Sequence, residues 1–203
     1  MSASIHFSVG LTGLMGAGKT EAANYFKRTG YPVLFMDQVG HDCLQETDII
    51  EELVETFGDV ILDKSNTINR KKLSQLVFHD QEKLNSLNRI LHPKMNQKAK
   101  KWIAVHFNQG RQIVFLEAAI LFKMKMNKFL DYTVLIKAAE KDLVKRIIKR
   151  DRKSEKEIQQ IFETQKMNET KVDYVIMNAG SLNDLYQRCN KLLKQLRSDI
   201  KSL

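Results

Sequence analysis

The run Gly13-Leu14-Met15-Gly16-Ala17-Gly18-Lys19-Thr20 fits the pattern GxxxxGK[ST], and it lies between an apolar run and a segment of helical period. The chemistry of phosphate binding explains the spacing. The glycines let the backbone turn tightly and aim successive N–H groups at phosphate oxygens. The N-terminus of the following helix adds partial positive charge. In this pattern Lys19 reaches the β- and γ-phosphates, and the Thr20 hydroxyl is placed to ligate Mg²⁺. A chance match somewhere in such a chain has a probability on the order of 1% at ordinary residue frequencies. All eight residues are therefore expected to form a nucleotide-phosphate site that works with Mg²⁺.

The rest of the chain supplies a frame for that loop. Residues 5–12, 31–36, 111–117, 132–137 and 174–178 are short, nearly continuous apolar runs. Such runs suit strands buried on both faces. Helical periodicity marks residues 19–29, 46–57, 139–150, 154–168 and 181–200, and a long stretch over 80–107 that Pro93 is expected to break. Strand and helix alternate, which predicts an α/β fold with a mostly parallel five-stranded sheet flanked by helices. The long excursion between the second and third runs exceeds a simple crossover. The expected organisation is one domain over residues 1–203, built around the phosphate loop. Its core spans about 1–45 and 108–203, a helical acceptor-side insertion about 46–107, and a helical lid about 139–168.

Composition narrows the class. At 43% hydrophobic and 28% charged residues, the 203-residue chain can bury a core and does not read as disordered. No stretch approaches the 18 apolar residues of a membrane span, and the opening MSASIHFSVGL lacks the pattern of a signal peptide. Two cysteines, Cys43 and Cys189, with no CxxC or Cys/His spacing, suit reduced thiols in a cytoplasmic protein. The net charge of +9 falls largely on lysines scattered along apparent helices, without the interleaved aromatics of a nucleic-acid surface. The expected partner is thus a small molecule, with no nucleic acid and no membrane, for a monomer or small homo-oligomer.

Two acids follow apolar runs and should face a nucleotide at the carboxyl ends of the strands: Asp37 after YPVLFM and Glu117 closing VFLE. Each could instead be a helix-capping acid. The segment Arg146-Ile-Ile-Lys-Arg150-Asp151-Arg-Lys-Ser154 gathers cations at one helix end. Arg146 and Arg150, four apart, share a helix face and could close over the transferring phosphoryl group, where negative charge accumulates. A solvated charged turn is the competing reading. Ser154 followed by Glu157 reads as a capping box that restarts a helix.

Taken together these residues resemble the dephospho-CoA kinase family. The resemblance runs from about residue 8 to about residue 190 and rests on VGLTGLMGAGKT, Asp37, INRKKLSQLVF with Arg70, LNRILHP with His92 and Pro93, EAAILF, RIIKRDRKSEKEIQQIFETQ, and VDYVIMNAGSL with Asp173 and Asn178. It implies phosphorylation of the ribose 3′-hydroxyl of dephospho-CoA by ATP, giving coenzyme A and ADP. It further implies Asp37 as orienting group and proton acceptor, and Glu117 as a group binding the acceptor or a metal-bound water. Arg70 and His92 fall on the acceptor side, while Arg150 and Asn178 join the loop around ATP. His92 beside Pro93 reads equally as a packing feature. The chain departs from the family at Phe35, His41, Ala119 and Lys123, which leaves Asp37 as the single acid of a usual pair. The loop by itself also permits a kinase of nucleosides or nucleoside monophosphates. The departures permit a paralogue that binds ATP without turnover. An NKxD guanine-reading segment is absent, which speaks against a GTPase.

Overall fold

The computed structural model describes residues 5–78, 80–165 and 171–202. The parts of the expected core and lid at residues 1–4 and 166–168 lie outside the described residues. Five strands, β1 (Phe7–Thr12), β2 (Val33–Phe35), β3 (Ile113–Glu117), β4 (Tyr132–Lys137) and β5 (Tyr174–Met177), form one sheet in the order β2-β3-β1-β4-β5. Every pairing is parallel. Both faces of the central strands are covered, which is why β1 and β3 read as nearly continuous apolar runs: every residue of each is buried.

The chain divides into two compact units, residues 1–35 with 102–203, and residues 36–101. Among the described residues, the first unit contains the sheet with α1 (Lys19–Arg28), the end of α5 (Gln81–Asn108), α6 (Glu140–Asp151), α7 (Glu155–Gln165) and α8 (Leu182–Ser202). Its core joins Val9, Leu11 and Phe115 of the sheet to Phe26 of α1, Ile147 of α6, Ile158 and Phe162 of α7, and Leu193 of α8. The Phe26 and Phe115 rings stack with centroids 4.0 Å apart. Gly10 stands where a Cβ would lie 2.4 Å from Leu121 Cδ1, so its bare backbone admits that buried leucine.

The second unit contains α2 (Met36–Cys43), α3 (Thr47–Phe57), α4 (Arg70–Phe78) and most of α5. Its core is aliphatic, with Ile49, Leu53, Ile61, Leu73, Val77 and Ile90. Lys94 on α5 pairs with Glu46 at 2.8 Å and Asp48 at 2.7 Å. These bonds raise the Lys94 ammonium pKa and hold both carboxylates below their ordinary range.

Two sequence expectations are corrected. Pro93 does not break the long helix: α5 runs from Gln81 to Asn108 with Pro93 inside it. A proline removes one N–H donor, but Ile90 and Met95, on either side of it, are buried and hold the helix through that point. The second strand is also shorter than its apolar run. It ends at Phe35, and Met36 already begins α2, because Met36, Val39 and Cys43 recur on one buried helical face.

Candidate active site

The loop after β1 lies at the carboxyl ends of the strands, where ligands of open parallel sheets bind. Gly13 has φ +146°, and a Cβ there would meet the Ile136 carbonyl oxygen at 2.2 Å. Gly18, at φ +96°, caps α1, and a Cβ there would meet Asn178 Nδ2 at 2.4 Å. Both positions demand glycine for conformation and for space. Within the loop Ala17 N–H donates to the Leu14 carbonyl at 3.1 Å. The Lys19 ammonium donates to that same carbonyl at 3.1 Å, so the buried lysine folds back over the loop that would receive the phosphates. Thr20 is exposed in the first turn of α1.

Neighbouring elements hold the loop from outside. Asn178, directly after β5, donates its side-chain N–H to the Ala17 carbonyl at 2.8 Å and its backbone N–H to the Lys137 carbonyl at 2.6 Å. Arg146 on α6 donates to the carbonyls of Gly16 and Asn178, both at 3.3 Å. Gln165 at the end of α7 accepts from Met15 N–H at 2.7 Å. Two further carboxylates anchor strand starts, at the edge of the sheet opposite the loop. Asp131 accepts from Ser8 N–H and hydroxyl at 2.7 and 2.6 Å, and Asp173 accepts from the same pair of groups on Thr133 at 2.7 and 2.8 Å.

Glu117 ends β3 in register with Leu11 of β1 and Phe35 of β2, and it is buried. Arg146 and Arg150 part ways despite their four-residue spacing. Arg146 turns to the loop, whereas Arg150 forks onto Asp151 at 2.8 and 2.9 Å. That pairing lowers the Asp151 pKa and raises that of Arg150. The predicted capping box is present: Ser154 N–H and hydroxyl donate to Glu157 at 2.8 and 2.7 Å, and Glu157 N–H donates back to Ser154 Oγ at 3.3 Å. α7 begins directly after it.

In the second unit, Asp37 is exposed in the first turn of α2. Arg70, the first residue of α4, donates to the His41 ring nitrogen, so the histidine at a position of departure from the family pattern orients this arginine. His92 is half-buried on α5, and desolvation pushes its imidazole pKa down. The family resemblance marked Gln165 as part of the lid segment without giving it a contact, and it assigned Asn178 to ATP. The structure has the Asn178 amide on the loop carbonyl. Residue type and place marked both residues, but an amide next to a strand or helix end has too many possible partners for the sequence to name the one it takes.

The model of the dephospho-CoA kinase family matches residues 7–184. The chain belongs to the dephospho-CoA kinase family. It is similar to the dephospho-CoA kinase of Aquifex aeolicus, at 35% identity over 94% of this chain and 98% of that protein. A solved Thermus thermophilus protein superposes with a TM-score of 0.79 at 28% identity, over 95% of this chain and 98% of its own. The dephospho-CoA kinase of Campylobacter jejuni shares the fold, with a TM-score of 0.64 at 22% identity, covering 94% of this chain and 97% of that one. The fold is that of the P-loop kinases, and family membership makes this chain a kinase with ATP as phosphoryl donor. Among the described residues no helix is long and apolar enough to cross a membrane.

Proposed function

We propose that the chain transfers the γ-phosphoryl group of ATP to the ribose 3′-hydroxyl of dephospho-CoA, giving coenzyme A and ADP. One observation carries the proposal: Lys19 is buried in a glycine loop at the carboxyl end of β1, in a chain that matches the family over residues 7–184. The loop N–H groups and Lys19 hold the triphosphate, with Lys19 exchanging the Leu14 carbonyl for phosphate oxygens. The Thr20 hydroxyl and the Glu117 carboxylate are hard oxygen donors, which suit Mg²⁺ held jointly with phosphates and water; the cation would neutralise charge developing on the phosphoryl oxygens. Glu117 serves either there or at the acceptor.

Asp37 orients the 3′-hydroxyl and takes its proton as the ribose oxygen bonds to phosphorus and the bond to the β-phosphate oxygen breaks, releasing ADP. Arg146 steadies the loop and meets the transferring charge, and Arg150 joins it when it leaves Asp151. Arg70, aimed by His41, and His92 take the acceptor side. Asn178 acts on ATP through the Ala17 carbonyl. This reaction suits the cytoplasm, where Cys43 and Cys189 stay free, and a monomer or small homo-oligomer that engages no nucleic acid.

The test is ADP release from ATP and Mg²⁺ with dephospho-CoA, adenosine, AMP or CMP as acceptor. Release that requires dephospho-CoA, disappears in Lys19→Ala and drops about 10²–10⁴-fold in Asp37→Asn is expected. Release with a nucleoside or nucleotide acceptor instead would overturn the substrate, and near-normal turnover of Asp37→Asn would remove that residue from the proton-accepting role.

A further inference from the structure

The phosphate loop contains three glycines, at positions 13, 16 and 18, each at positive φ. Glycine gives the loop its shape and also its freedom to lose that shape. Besides Lys19, which takes the Leu14 carbonyl from within the motif, side chains from neighbouring elements hold the intervening stretches: Asn178 and Arg146 take the carbonyls of Ala17 and Gly16, and Gln165 takes the N–H of Met15 at 2.7 Å. Of these side chains, Gln165 is the one that engages a loop N–H. It is the last residue of α7, a helix seated in the core by Ile158 and Phe162. Its amide oxygen thus reaches the loop from a firmly packed element 150 positions away in sequence.

We infer that Gln165 is a positioning residue for nucleotide binding: by accepting from Met15 N–H it fixes the stretch between Gly13 and Gly16 before the triphosphate arrives. A loop already ordered loses less conformational freedom on binding, and that saving goes to affinity for ATP and not to the acceptor. The neutral amide suits the task. A carboxylate would accept equally well, but it would set a negative charge beside the site for a polyanion. The inference rests on the reading of the loop as the ATP site, and its first readout does not depend on turnover.

The experiment compares the full-length chain with Gln165→Leu, similar in volume but without an acceptor, and Gln165→Glu, which keeps one. Amide hydrogen exchange at Met15 is measured without nucleotide, ATP affinity by calorimetry without acceptor, and KM for each substrate by ADP release. In Gln165→Leu, Met15 exchange is expected to quicken about tenfold and the ATP Kd and KM to rise about three- to tenfold, with kcat and the dephospho-CoA KM within about twofold. Gln165→Glu should restore Met15 protection without restoring ATP affinity. Unchanged Met15 exchange in Gln165→Leu overturns the inference. So does an equal rise in KM for both substrates with a fall in Tm, which marks a merely structural residue. Absence of turnover in the parent chain, with ATP still bound and weakened by Gln165→Leu, sinks the acceptor reading and leaves the role of Gln165 standing.

Discussion

The side-chain amide of Asn178 lies 2.8 Å from the carbonyl of Ala17, and its nitrogen fills the space that a Cβ on Gly18 would need. Residue 178 and the phosphate loop are therefore fitted to each other in both chemistry and volume. Asn178→Asp turns a donor into a second acceptor facing the Ala17 carbonyl. It is expected to lower stability by roughly 1–3 kcal/mol. It should also raise the ATP KM more than the dephospho-CoA KM; urea unfolding and steady-state kinetics check the two effects.

Gly13 is fixed by backbone and not by a flexible side chain, since its missing Cβ would sit 2.2 Å from the Ile136 carbonyl oxygen. Gly13→Ala must move β4 or the loop and also holds alanine at positive φ. A loss of about 2–5 kcal/mol is expected. A variant melting within a degree or two of the parent would contradict this packing.

His92 supplies a pH dependence separable from the carboxylates. Its imidazole is held below the ordinary 6.5 by burial, so the unfolded chain binds the proton more readily than the folded one. Stability is unaffected well above pH 6.5 and falls as pH drops through 6.5 toward the lowered folded value. Asp63, Asp80 and Asp184, whose folded pKa values are depressed below 3.8, contribute stability that is lost only at more acidic pH. Denaturant melts between pH 7 and 5 should slope downward in the parent and flatten in His92→Gln.

Ser154 and Glu157 satisfy each other's backbone N–H groups at the start of α7. Ser154→Ala removes an acceptor for the Glu157 N–H and is expected to speed amide exchange in the first turn of α7 several-fold, without changing exchange in α8. Equal exchange in parent and variant would show that the cap does not hold this helix end.

Legibility followed the range of the interactions. The phosphate loop, the individual strands and the Ser154–Glu157 box could be read because each is written in residues a few positions apart. The early end of β2 was hidden because Met36 is as apolar as a strand residue, while the face it shares with Val39 and Cys43 declares a helix. Continuity through Pro93 depends on burial at Ile90 and Met95, which proline chemistry does not report. The loop residues and Glu117 stood out as candidates by type and by their place at strand ends. The hold of Gln165 on Met15 and the pairing of Arg150 with Asp151 arise from side chains choosing among several partners, and spacing on a helix does not fix that choice.

The strand order carries a consequence for how the molecule comes into being. β1 is made first, yet its two neighbours are β3 and β4: Phe7 pairs with Ile113 and Val9 with Tyr132. A growing chain must hold this buried strand, and the phosphate loop behind it, without its first flanking partner until synthesis has passed β3 at position 117, and without the second until it has passed β4 at 137. Parallel pairings at such separation form slowly, because a long loop must close before any contact rewards it. The interval in which VGLT lies open is when this protein is most exposed to aggregation, and when a chaperone that shields a short apolar strand would act on it.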